Sequence, residues 1–193
     1  MSASSFASLI CSKIRAAAGS DGSSYNSSTP SSCQAAIAAA VTEYFIAHVT
    51  VHAAYNGMTT STPSVPDIVP DEQFKVIGTV ASLSTPGDFV SWVVDLQSKI
   101  ASGLMISSPG INGVVTTFQP FNPATTLTIN QGSLKSAHEG DMKDPMQKTW
   151  QVVCQALMNW VNSAVSCNPA ASAVPATRPG SVGTATLTHI AIT

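Results

Sequence analysis

Four histidines and four cysteines hold most of the reactive side-chain chemistry in this 193-residue chain. His48 and His52 stand four apart, the spacing that sets two imidazoles on one helix face as metal ligands. A third ligand would have to come from far along the chain. The residues also turn β-branched after Val49, and a switch from helix to strand there points the two rings apart, so the expectation is a core or interface histidine. His138, Glu139 and Asp141 cluster ahead of a helical run, where a turn seating Asp144 as a helix cap accounts for them. His189 alternates with Leu187 and Ala191, which assigns it to one face of a strand. Cys11, Cys33, Cys154 and Cys167 form no CxxC pair, so neither a zinc knuckle nor a dithiol redox site is indicated. Cys154 lies in a helical pattern and reads as a small buried hydrophobe. GxSxG elbows, Walker loops and GxGxxG turns are all absent. No catalytic residue, cofactor-binding residue or metal ligand is assigned, and the chain reads as non-enzymatic.

The composition narrows the partners. Charged residues make up 9% of the chain, against about 25% in an ordinary domain. Eight Lys and Arg against ten Asp and Glu give a net charge of −2, and eight scattered cations cannot build the positive field that nucleic acid requires. Mean hydropathy is +0.22, which with low charge argues against disorder. Met1 to Gly19 makes a poor secretory signal because Lys13 and Arg15 follow the apolar run instead of preceding it. Without secretion the Asn26-Ser27-Ser28 sequon has no consequence. The longest apolar stretch, Ala35 to Ala54, contains Glu43, His48 and His52 and suits a core helix running into a strand better than a membrane span. The expectation is a soluble protein made in a cytosol.

The elements that would position these residues come round in a repeating order. Residues 1–30 read as an N-terminal arm with an amphipathic segment (Phe6, Leu9, Ile10, Ile14) and a Gly/Ser linker. Residues 31–193 read as one α+β domain of three helix-loop-strand units, 31–83, 85–134 and 144–193. The helices are expected from Ser32 to His48, Pro86 to Ser102 and Pro145 to Val165. The strands are expected at Phe74 to Leu83, Thr125 to Ile129 and Gly183 to Ile190, with GTVASL and GTATLT the closest internal match. Capping patterns support the helix starts: Thr85-Pro86-Gly87-Asp88, Asp144-Pro145-Met146-Gln147 and Ser31-Ser32-Cys33-Gln34. The fold expected is three helices packed on a sheet of short Thr-rich strands. Between helix and strand lie long Pro-rich loops around Pro63, Pro66 and Pro70 and around Pro169, Pro175 and Pro179, extended material suited to lying along a neighbour.

The helix faces point to association. The third helix aligns Trp150, Cys154, Leu157, Val161 and Ala164 as an apolar seam and carries Gln147, Gln151, Gln155, Asn159 and Asn162 elsewhere, with Lys148 its only charge. The first aligns Ile37, Val41, Tyr44 and His48 beside an alanine surface that includes Ala36, Ala39 and Ala40. The second aligns Phe89, Val93, Leu96 and Ile100 and offers one surface pair, Asp95 and Lys99. Amide and alanine faces pack against a second surface without the cost of burying charge. The five amides with Ala36, Ala39 and Ala40 are therefore the expected assembly interface.

CQAAIAAAVTEYF leading into a Thr/Pro/Gly loop, with a closing GTATLT segment, resembles small virion structural proteins of tailed bacteriophages, of the tail, neck or baseplate type. The resemblance covers roughly the first and third units and is one of style and composition. It implies a non-enzymatic building block present in many copies in the virion, made in the bacterial cytoplasm. Its partners would be its own copies and other virion proteins, not nucleic acid, membrane or a small-molecule substrate. Alternatives are a capsid decoration or cement protein and, in other classes, a small hydrolase or a surface adhesin. The adhesin would pair Cys11 with Cys33 or Cys154 with Cys167 in an oxidising environment.

Overall fold

The computed structural model describes residues 2–18, 29–58, 66–85, 88–109, 115–118, 121, 126–139, 145–165, 174–175 and 184–192. Among the described residues five helices occur, in the order α1 (Ala3–Ala18), α2 (Thr29–His48), α3 (Phe89–Gly103), α4 (Gln131–Glu139) and α5 (Pro145–Val165). The strands are β1 (Thr50–Met58), β2 (Pro66–Gly78), β3 (Leu104–Pro109), β4 (Val115–Phe118), β5 (Val174–Pro175) and β6 (Thr184–Ile192). Their backbones pair antiparallel in the order β4-β3-β2-β1-β6-β5.

The expected architecture, three helices on a sheet of short Thr-rich strands, does not hold. The described interior is mostly helical, with side chains from all five helices, and the sheet enters it as the two-strand antiparallel pair β2/β3 through Val76 and Leu104. Two of the three expected strands change as well. The chain leaves β2 at Gly78, so 79–83 is not strand, and 126–130 has no regular structure. The reason is where the amides go. Thr79 donates to Gly103 O at 3.0 Å, Val80 to Thr42 Oγ1 at 2.9 Å, Ser84 to Asp95 Oδ2 at 2.8 Å and Leu127 to Gln97 Oε1 at 3.0 Å. Backbone donors satisfied by helix side chains and a helix end cannot also form a ladder. The buried Gln97 is thus a fixture of the core, and Lys99, paired with Asp95 at 3.2 Å and donating to Ser82 O, clamps the same segment from α3.

Residues 3–18, taken in the sequence for part of an arm, form a core helix. Ser2 caps it by accepting from Ser5 N through its hydroxyl and from Phe6 N through its carbonyl. Phe6, Ala7, Ile10 and Cys11 are then fully buried between α2 and α5. Phe6 stacks on Tyr44 with ring centroids 4.0 Å apart and meets Phe45 edge-on at 6.1 Å. Tyr44 returns its hydroxyl proton to Ser2 O, and Lys13 pairs with Glu43 at 2.8 Å. The apolar seams of α2 and α5 are buried at Ile37, Val41, Tyr44, Cys154, Leu157 and Val161. Trp92 joins three helices, donating Nε1 to Gln34 Oε1 at 3.0 Å and meeting Trp150 edge-on at 5.9 Å.

Helix α3 starts three residues later than its Thr85-Pro86 pattern suggests, because Asp88 is the N-cap: its Oδ1 accepts from Ser91 N at 2.8 Å and its Oδ2 from Ser91 Oγ at 2.7 Å. The Ser91 amide, and next its hydroxyl, hold the Asp88 carboxyl below its ordinary 3.8. A carboxylate with a depressed folded pKa adds stability above its unfolded value and loses it as pH falls through the folded one. Wild type is therefore expected to outmelt Asp88→Asn at about pH 6 and to lose that advantage towards about pH 2. Thermal melts at the two pH values check this, and a gap that does not change with pH contradicts it.

A carboxamide groove between α1, α4 and α5

The five-amide stripe of α5 splits into two uses. Gln147 donates Nε2 to Ser4 O at 3.2 Å and to Ser8 Oγ at 2.8 Å, and Gln151 donates Nε2 to Ser4 Oγ at 3.2 Å. These two glutamines bind α1 to α5 within one molecule, which the sequence alone left hidden because α1 read as an arm. Gln155 and Asn159 are exposed and bond each other, Gln155 Nε2 to Asn159 Oδ1 at 3.0 Å. Asn162 is also exposed but lies off the groove.

Gln151, Gln155 and Asn159 line an open groove of about 750 Å³. Across from them stand Thr128 and Asn130, and Ser133 of α4. Asn130 is fixed there as the cap of α4, its Oδ1 accepting from Ser133 N at 3.0 Å and its carbonyl from Leu134 N at 3.1 Å. Ala3, Ala137, Val152 and Ala156 supply the apolar lining, and Ser4 and Lys148 complete it. Among the described residues that line it, Lys148 is the only charged one, and none is a carboxylate, imidazole or thiol. As built, it offers neutral hydrogen bonds and shallow apolar contact to whatever lies in it.

The alanine part of the expected interface does not join this groove. Ala39 is exposed and Ala36 half-buried on α2, while Ala40 is fully buried in the core and is no surface residue. The surface feature that the sequence reading missed is on α3. Val90 is 62% exposed and Val94 60%, four apart on one helix face, and Phe89, about 100° round the helix from Val90, is 40% exposed. Phe89, which its spacing places in the seam, instead stacks on Trp92 at the margin, 6.0 Å away. Apolar residues off the 3.6-residue seam were the available signal.

The reactive residues are dispersed. His48 ends α2, exposed, with its ring 4.6 Å from that of Tyr44. His52 falls in β1 opposite Ala191, and His189 in β6 opposite Ala54, so the two histidines spaced four apart do not share a helix. Among the described residues no group of three or more His, Cys, Asp or Glu is placed to hold a metal ion. Burial, and secondarily the nearby Cys11, push the Cys154 thiol far above its ordinary range, which keeps it protonated and a poor nucleophile. Cys167, Gly140, Asp141, Asp144 and the segments around Pro63 and Pro179 lie outside the described residues. Among the described residues no helix is long and apolar enough to cross a membrane. No family model matches the chain, and neither a curated protein nor a solved structure does.

Proposed function

We propose that this chain is a non-enzymatic structural component of a tailed-bacteriophage virion, working in several copies in the tail, neck or baseplate. The observation that carries the multi-copy part is the uncharged face of α3 on which Val90 and Val94 stand in water in the isolated chain, with Phe89 exposed beside it. Each methylene covered by a neighbour gains about 0.8 kcal/mol, and a flank without charge has none to desolvate. The amide groove, whose described lining carries one charge, on Lys148, provides a second surface. The virion part rests on the compositional likeness of CQAAIAAAVTEYF and the closing GTATLT segment to such proteins.

Sedimentation velocity at tens of micromolar is expected to show species of several copies, and Val90→Lys with Val94→Lys to shift them toward one copy. A wild type that sediments as one copy throughout overturns the assembly reading. Mass spectrometry of purified phage particles is expected to find the chain among their structural proteins. Its confinement to the cell lysate overturns the virion assignment.

A further inference from the structure

Gln151, Gln155 and Asn159 recur every four residues along α5 and all face the groove. Four helical residues rise about 6 Å. An extended polypeptide advances about 6.7 Å every two residues and at that interval turns one N–H and one C=O to the same side. A primary carboxamide carries both a donor and an acceptor, so three amides at this pitch match the same-side backbone groups of one extended strand. Over two steps the mismatch is about 1.4 Å, within the reach of a glutamine side chain. The atoms needed are there: Gln151 Oε1, Gln155 Oε1 and Asn159 Nδ2 have no partner among the described residues.

We infer that the groove receives an extended, charge-free segment of a second copy of this chain, its backbone paired with the Gln151-Gln155-Asn159 ladder. The inference rests on the multi-copy reading above and names its contact. The occupant follows from charge and size. A groove whose described lining carries one ionic group, Lys148, is poorly matched to a second cation or to several acids. This chain has what fits outside its described helices, because residues 104–130 and 166–177 contain no Asp, Glu, Lys or Arg. Alanines in the groove lining leave room for the Ala, Ser, Pro and Thr side chains that make up most of residues 168–177. The main-chain bonds would give affinity whatever the side chains, and the shallow apolar lining would select small ones.

The test combines two measurements on the full chain. Gln155→Glu with Asn159→Asp keeps both shapes but turns amides that donate into carboxylates that only accept. The double variant is expected to weaken self-association at least about tenfold, with an unchanged far-UV circular dichroism spectrum. In the second measurement, benzoylphenylalanine replaces Ser133 on the opposite wall, in a mixture of 14N- and 15N-labelled chains. Irradiation is expected to give mixed-isotope cross-links into one contiguous stretch free of charged residues. Assembly that ignores the double variant, cross-links within one chain only, or cross-links onto a neighbour's α2 or α3 overturn the groove's role while the multi-copy reading stands. A wild type that sediments as one copy overturns that reading itself.

Discussion

Phe6→Ala is expected to cost about 3–5 kcal/mol of unfolding free energy, the range for deleting a buried phenylalanine. Phe6 has no solvent exposure, lies flat on Tyr44 and meets Phe45 by its edge. Truncation therefore removes apolar burial and two ring contacts, and aromatic pairs contribute about 0.5–1.5 kcal/mol beyond their area. The loss has a direction in the structure. Besides its buried face, α1 is held by Tyr44 to Ser2, by Lys13 to Glu43 and by the two glutamines of α5, polar contacts at the margins worth about 1 kcal/mol each or less. Without Phe6 these cannot hold a 16-residue helix that is marginal on its own. The thermal midpoint is expected to fall by roughly 6–20 °C. Limited trypsin digestion should gain early cuts after Lys13 and Arg15, while the Lys99 site in α3 stays protected. A midpoint within a degree or two of wild type, with α1 still resistant, would show that the helix is not part of the core. Undocking α1 also removes Ser4 from the groove and releases Gln151, so the same variant should lose self-association.

The sequence made some of this visible and hid the rest, for reasons that can be named. Helices α2, α3 and α5 announce themselves because each keeps apolar residues three and four apart for about three turns or more, and packing rewards that period. The helix-to-strand change after Val49 was also readable, since α2 stops at His48 and β1 begins at Thr50. The apolar positions of α1 were readable too, but a 16-residue amphipathic run does not say whether its partner lies in the same chain. That answer came from Ser4, Ser8, Tyr44 and Gln147, residues separated by as many as 143 positions. Helix α4, QGSLKSAHE, has a glycine in its first turn and only Leu134 and Ala137 as apolar residues, so its sequence reads as loop. The Thr-rich strands failed for a different reason. Strand propensity is a preference for a pleated, half-buried surface, and at 79–83 and 126–130 the helices supply side-chain acceptors for the amides instead. Of the candidate interface, the α5 amides were legible as a stripe, yet only tertiary structure separates Gln147 and Gln151, bound to α1, from Gln155 and Asn159, which face the groove.

Gly103→Ala is the second large effect, and its cause is backbone instead of side chain. Strand β2 ends and helix α3 gives way to β3 at one crossing, where Thr79 N donates to Gly103 O at 3.0 Å. A Cβ on Gly103 would lie 2.4 Å from Thr79 O, and a Cβ on Gly78 would lie 2.2 Å from Gly103 O. Both neighbours are main-chain atoms, so no side chain can swing away, and the two segments would have to separate. Gly78 carries a second restriction, a φ of +105°, a conformation that costs other residues about 1–2 kcal/mol. Separation would break the Thr79–Gly103 bond and strain Leu104 and Val76, both fully buried and both in the β2/β3 pair that the sheet contributes to the core. Overpacking of this kind costs about 1–3 kcal/mol, so Gly103→Ala is expected to lose about 3 kcal/mol with the broken hydrogen bond, and Gly78→Ala somewhat more. Gly132→Ala is the control, because its added carbon would meet only Asn130 Oδ1 at 3.1 Å and alanine favours the helix; it is expected to change stability by less than about 1 kcal/mol. Urea denaturation of the three variants measures all of this at once. Equal midpoints for Gly103→Ala and Gly132→Ala would mean that the two backbones do not cross in contact, and that β2 and β3 are not seated on the helices as described.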